Sequence, residues 1–177
     1  MVSQVPLYKF PQSAFAYVAG LITAAVGLLV LIGWQFDIGI LKSILPGVVS
    51  MKPNTAVAFL LSGLALLLLQ RTATTNKVLV RFFAVIIILT GLLTLGQYLF
   101  SWNFGIDELL FHDSIDAAGT SQPGRMAPST AVNFIMIGIT FYILSLQKYR
   151  NKSLIIFSLF FTLTFSVIAF FRLCYRL

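Results

Sequence analysis

Met51-Lys52-Pro53-Asn54-Thr55-Ala56-Val57-Ala58-Phe59 and Met126-Ala127-Pro128-Ser129-Thr130-Ala131-Val132-Asn133-Phe134 are two versions of one phrase. Each opens a run apolar enough to cross a bilayer. In both, a proline stands where a helix would begin, at a position where the missing N–H costs nothing and the ring presets φ. A second pair of matching stretches lies upstream: Gly27-Leu28-Leu29-Val30-Leu31 before Trp34 and Gly39-Ile40, and Gly91-Leu92-Leu93-Thr94-Leu95 before Trp102 and Gly105-Ile106. The expected unit is a pair of spans with the loop between them, and a two-span repeat keeps its orientation from copy to copy.

Composition points the same way. The 177 residues are 59% hydrophobic and 10% charged, with a mean hydropathy of +0.96, where soluble domains carry about a quarter charged residues. This excludes a soluble domain. Backbone amides in hydrocarbon must be bonded within their own segment or around a closed barrel, and continuous rather than alternating apolar runs select helices. The expected fold is all-α integral membrane, with about five transmembrane helices of roughly 20 residues each. They fall at 15–34, 55–70, 78–100, 130–147 and 154–171, a tandem two-helix repeat in parallel orientation plus a half repeat. The segments are then a cytoplasmic tail (1–13), a first repeat (14–70), a cytoplasmic loop (71–77), a second repeat (78–147) with an outer loop (101–127), and a cytoplasmic loop with the fifth span (148–177).

Charge orients the bundle. Arg71, Lys77 and Arg81 follow the second span and Lys148, Arg150 and Lys152 follow the fourth, with no acidic residue among them, so these loops are expected in the cytoplasm. The acids Asp37, Asp107, Glu108, Asp113 and Asp116 lie in the opposite loops, with Trp34 and Trp102 at interface positions. The chain thus reads as a multi-pass protein of the bacterial inner membrane with a cytoplasmic N-terminus. Arg172 and Arg176 then fall on the wrong side, and with the odd span count they point to a sixth helix in a longer parent protein. The net charge of +7 follows from the orientation rule and the anionic leaflet, and implies no nucleic-acid partner. The one cysteine, Cys174, permits neither an internal disulfide nor a multi-thiolate site.

Two groups of residues carry polar chemistry. Asp107, Glu108, His112, Asp113 and Arg125 cluster in the outer loop, where they are candidates for binding a cation or a polar ligand. The alternative is that 105–111 forms a short amphipathic helix on the bilayer surface, with Ile106, Leu109 and Leu110 inward and its acids in water. The second group comprises the repeat starts Pro53, Asn54, Thr55, Pro128, Ser129 and Thr130, with Gln97 and Asn133 nearby. These polar groups are expected to cap helices or bond across a pseudo-twofold axis, or else to line a shallow ligand pocket. Asn133 is singled out because its counterpart in the first phrase is Ala58.

Enzymes are disfavoured on inventory: there is no P-loop, G-x-S-x-G, H-E-x-x-H or Rossmann fingerprint. A lone histidine excludes bis-histidine haem ligation and argues against a histidine-dependent hydrolase. No charged residue lies mid-span to carry protons. No cofactor, metal or catalytic residue is assigned. Small residues spaced along the first two spans, Gly20, Ala24 and Gly27 with Ala58, Ser62 and Gly63, allow close helix approach, within the chain or against a second copy in a homo-oligomer. The phenylalanines of 154–171 suit lipid contact.

The phrases at 51–65, 104–111 (Phe-Gly-Ile-Asp-Glu-Leu-Leu-Phe) and 123–134 (Pro-Gly-Arg-Met-Ala-Pro-Ser-Thr-Ala-Val-Asn-Phe) resemble the multi-spanning N-terminal membrane regions of bacterial signalling proteins. Such regions precede PAS, histidine-kinase or diguanylate-cyclase modules. The resemblance implies a membrane-embedded sensory or anchoring input domain, with lipid around it and cytoplasmic signalling modules in a longer parent chain, and it assigns no ligand. A stand-alone membrane scaffold and a transporter fragment are the other readings.

Overall fold

The computed structural model describes residues 14–43, 50–71, 74–113 and 122–146. The tail at 1–13 and the expected fifth span at 154–171 lie outside them. The described residues form five helices and no strand: α1 (Ala14–Gln35), the single turn α2 (Gly39–Lys42), α3 (Pro53–Leu69), α4 (Thr74–Phe100) and α5 (Pro128–Ser145). Of these, α1, α4 and α5, with 22, 27 and 18 residues, are long and apolar enough to cross a membrane. The 17-residue α3 is equally apolar, but at 1.5 Å per residue it is about 26 Å long, a little less than a hydrocarbon core of about 30 Å.

The two proline phrases begin their helices in the same manner. Pro53 and Pro128 are each the first helical residue, preceded by an extended residue, Lys52 (φ −73°, ψ 150°) or Ala127 (φ −63°, ψ 147°). Neither Lys52 nor Ala127 supplies a side-chain cap. The amides of Ala56 and Ala131 close the first turns on the carbonyls of Lys52 and Ala127 at 3.0 and 3.1 Å. The start of α4 differs from expectation: the helix begins at Thr74 rather than at residue 78, because the polar residues Thr74 to Lys77 take up helix ahead of the apolar run.

Helices pair in chain order, α1 with α3 and α4 with α5, and α3 then packs on both α4 and α5. Glycine makes each pairing close. A Cβ on Gly27 would lie 2.6 Å from the Ala56 carbonyl, and one on Gly63 would lie 2.7 Å from the Gly20 carbonyl. In the other pair, a Cβ on Gly91 would lie 2.7 Å from the Ala131 carbonyl and one on Gly138 would lie 2.9 Å from the Ala84 carbonyl. Gly27 stands to Gly20 as Gly91 stands to Ala84, and Ala56 to Gly63 as Ala131 to Gly138. Small residues let backbones approach closely where lipid leaves helices little hydrophobic reason to associate. The small-residue faces of α1 and α3 are therefore occupied within the chain. Between the pairs, Phe59 meets Phe134 edge to face at 5.7 Å, beside a core of Ala58, Ile87, Met126 and Ala131.

Polarity is inverted relative to a soluble bundle. Phe15, Ile22 and Leu28 on α1 and Val78, Phe82, Leu89 and Leu92 on α4 are half or more exposed, whereas Lys52, Asn54, Ser62, Thr94, Gln97, Asp107 and Arg125 are buried. An apolar exterior around polar interior groups suits hydrocarbon, since polar side chains in lipid turn toward the bundle. At the end of the bundle away from the long loop, Arg81 on α4 donates from Nε and Nη2 to the hydroxyl and carbonyl of Ser145, both at 3.2 Å. This places a cation against the last turn of α5, where the helix dipole favours it.

Candidate functional site

Polar chemistry concentrates where α1 and α4 end and α3 and α5 begin. Both α1 and α4 lead into a left-handed residue, Asp37 (φ 55°) and Ser101 (φ 54°), the non-glycine residues of positive φ among those described. Just ahead of each, an aromatic side chain reaches the following helix start: Trp34 Nε1 donates to the Met51 carbonyl at 2.9 Å, and Tyr98 Oη donates to the Met126 carbonyl at 3.2 Å. A cation covers each ring, Lys42 at 4.5 Å from the Trp34 centroid and Arg125 at 5.4 Å from that of Tyr98.

Trp34 and Trp102, matched in the sequence, have different settings. Trp34 is buried and packs on Phe111 at 6.1 Å, because its N–H has a carbonyl to meet inside the protein. Trp102 is 53% exposed, stacked on Phe100 at 4.7 Å and edge-on to Phe104 at 5.5 Å. Counted from Gly27 and Gly91, Trp34 falls level with Tyr98 rather than with Trp102.

Asp107 and Arg125 form the centre of the site. Arg125 Nε and Gln97 Nε2 both donate to Asp107 Oδ2 at 2.8 Å, with the Arg125 and Asp107 side chains 7% and 5% exposed. Gly124 makes this approach possible. Its φ is +67°, and a Cβ there would fall 2.5 Å from the Asp107 carbonyl, so only glycine brings the backbone close enough for the next residue to reach Asp107. The network is incompletely satisfied: Asp107 Oδ1, Gln97 Oε1 and Thr94 Oγ1 are buried with no hydrogen-bond partner among the described residues. Buried pairs of this kind add little net stability, yet leaving one member alone is costly.

A second buried pair ties the loop to the first phrase. Lys52 Nζ lies 2.5 Å from Asp113 Oδ2, with side chains 3% and 5% exposed, and the same oxygen accepts the Gly124 amide at 3.0 Å. Asn54 Nδ2 donates to the Ile106 carbonyl at 2.9 Å, and the Asp113 amide donates to Glu108 Oε1 at 3.3 Å. The loop that follows α4 is thereby fastened to the start of α3.

Of the residues singled out from the sequence, the structure brings Asp107, Glu108, Asp113, Arg125 and Asn54 together. His112 is exposed, and Asn133 lies partly buried on α5. The surface-helix reading of 105–111 is corrected. Gly105 adopts a φ of +68° and the segment runs as turns and bends. Leu109 and Leu110 are exposed, while Asp107 is buried, because the ion pair with Arg125 outweighs leaving that acid in water. Sequence reasoning missed Lys52, Tyr98 and Lys42. The substitution of Lys52 by Ala127 between the two phrases was the available signal.

Beside this network lies a cavity of about 460 Å³. Its apolar wall comes from Val26, Leu29 and Val30 of α1 with Met51 and Met126, and Thr55 and Thr130 also line it. Lys42, Lys52 and Arg125 are the charged residues of the lining, to which no described carboxylate contributes. The partner of Lys42 is the exposed Asp37, whose hydrogen bond and charge attraction to that ammonium hold its carboxyl below the usual carboxylate range. No group of three or more His, Cys, Asp or Glu placed to hold a metal ion occurs among the described residues. No protein-family model, curated protein or solved structure matches the chain.

Proposed function

We propose that this chain is the membrane-embedded sensory or anchoring input region of a bacterial signalling protein, of histidine-kinase or cyclase type, with catalytic output carried elsewhere in a longer parent. The observation that carries the reading is the Lys52–Asp113 pair. It couples the loop after α4 to the first turn of α3, so a change at the loop end alters how one helix pair sits on the other, as a switch based on differential binding to two arrangements requires. The resemblance at 51–65, 104–111 and 123–134 supports the same reading.

Within this proposal the two hairpins are copies of one unit, inserted the same way up in the inner membrane, with the N-terminus and basic loops in the cytoplasm and a fifth span following. The matched glycine contacts, the matched bonds from Trp34 and Tyr98 and the paired left-handed residues support the repeat. Its orientation has a direct check. In a Cys174→Ser background, a membrane-impermeant thiol reagent will label Leu109→Cys in intact cells and will label Asn76→Cys only after permeabilisation. The reverse pattern would invert the topology.

The functional test uses the parent protein. Lys52→Asp will shift its signalling output at unchanged membrane abundance, and Lys52→Asp combined with Asp113→Lys will restore it. Equal output from all three proteins, or a reading frame that lacks an output module and has no neighbouring signalling gene, rules the proposal out. The small-residue faces that a scaffold would offer to partners are already taken up by the contacts between α1 and α3, so the structure gives that alternative no support.

A further inference from the structure

We infer that the cavity between α1, α2 and the start of α5 is a binding site for a long-chain fatty carboxylate, whose anionic head lies among Lys42, Lys52 and Arg125 and whose chain lies along Val26, Leu29 and Val30. The inference concerns binding alone and holds whether or not the chain feeds a signalling module. Three observations support it.

The first is charge. The lining contains three cations and no described carboxylate, because the acids that pair with them, Asp37, Asp113 and Asp107, approach from outside the cavity. Donors remain for a ligand. An ammonium has three N–H groups and a guanidinium five; among the described residues, Asp113 takes one Lys52 donor and Asp107 takes the Nε of Arg125. The Lys42 pair with Asp37 is a surface pair, with Asp37 93% exposed, and such pairs contribute little and exchange readily. All three cations already meet carboxylate oxygens, so a carboxylate head matches the donors in place.

The second is shape. A volume of about 460 Å³ lies toward the lower end of the range for ligand pockets, roughly 300–1,000 Å³, which suits one chain with its head rather than a two-chain lipid. The third is access. Val26, Leu29 and Ile40 line the cavity and are also 39%, 49% and 79% exposed on the apolar outer face, so the cavity opens sideways to hydrocarbon. An acyl chain moving from lipid into protein gains little hydrophobic energy, since lipid tails are as apolar as leucine. Selectivity must therefore come from the head.

The test uses the whole chain in nanodiscs of zwitterionic phosphatidylcholine with radiolabelled oleate. Saturable binding of one oleate per chain is expected. Leu29→Trp, which fills the cavity from a half-exposed position, will abolish it, while Leu92→Trp on the lipid-facing side of α4 will not. Lys42→Gln will weaken binding about threefold, the scale of one partly screened charge contact. Methyl oleate, which lacks the charge, and acetate, which lacks the chain, will not compete at the concentration where unlabelled oleate does. Non-saturable uptake, uptake indifferent to Leu29→Trp, or competition by methyl oleate, by acetate or by an equal mole fraction of phosphatidylglycerol would each overturn the inference.

Discussion

Asp107→Ala will lower the unfolding free energy of the detergent-solubilised protein by about 3–5 kcal/mol, because it strands the buried Arg125 guanidinium without its counter-charge. Arg125 is 6% exposed and sits over the Tyr98 ring, so little of its charge is solvated. Gln97 loses the acceptor of its amide as well, adding a second buried group without a partner to the one its Oε1 already represents. The double replacement Asp107→Leu with Arg125→Met removes both charges together and will recover most of the loss. Thermal or denaturant unfolding of the three proteins in one micelle measures the difference. An Asp107→Ala protein as stable as the parent would mean that the pair contributes nothing to the arrangement of the loop.

Gly63→Val and Gly138→Val will each cost about 3 kcal/mol or more, at the upper end of overpacking penalties. A new Cβ would strike backbone at both positions: the Ala24 nitrogen and, at 2.7 Å, the Gly20 carbonyl for Gly63, and the Ala84 carbonyl at 2.9 Å for Gly138, where Ile88 Cγ1 also lies at 2.6 Å. A flexible side chain could rotate away, but a helix backbone moves only as a unit, so each pair would have to separate along its length. Gly39→Ala is the control. Nothing lies within 4 Å of a Cβ at that glycine, and a change of no more than about 0.5 kcal/mol is expected. Unequal losses at Gly63 and Gly138 would argue against equivalent hairpins, since the two glycines hold the same place in their respective phrases.

How far the site was legible depended on the distance in sequence between its parts. The helix starts at Pro53 and Pro128 could be placed from the phrase itself, because a proline after an extended residue is a local signal. The like positions of Trp34 and Tyr98, seven residues after Gly27 and Gly91, were local too, but that each ring would meet a helix-start carbonyl was not. Asp107 and Arg125 could be named as chemistry but not as partners, since they lie 18 residues apart in sequence and Gly124 closes the approach only in the folded chain. Lys52 reads as an ordinary interfacial cation in sequence, and only the return of the loop past α3 turns it into the buried partner of Asp113.

The sequence alone determined that the described chain is helical and suited to a bilayer, because hydrocarbon offers no partner to a backbone amide and each apolar segment must satisfy its own. It also picked out Gly20, Gly27 and Gly63 as places where helices can approach, whereas the like role of Gly91 and Gly138 came from the structure. Only the tertiary structure decided which polar groups meet: the choice of Asp107 for Arg125, of Asp113 for Lys52 and of a backbone carbonyl for each buried aromatic. Those choices are made when loops and helix starts are brought together and their water is removed, and the cost of burying a charge depends on where its partner lies in space rather than on its place in the chain.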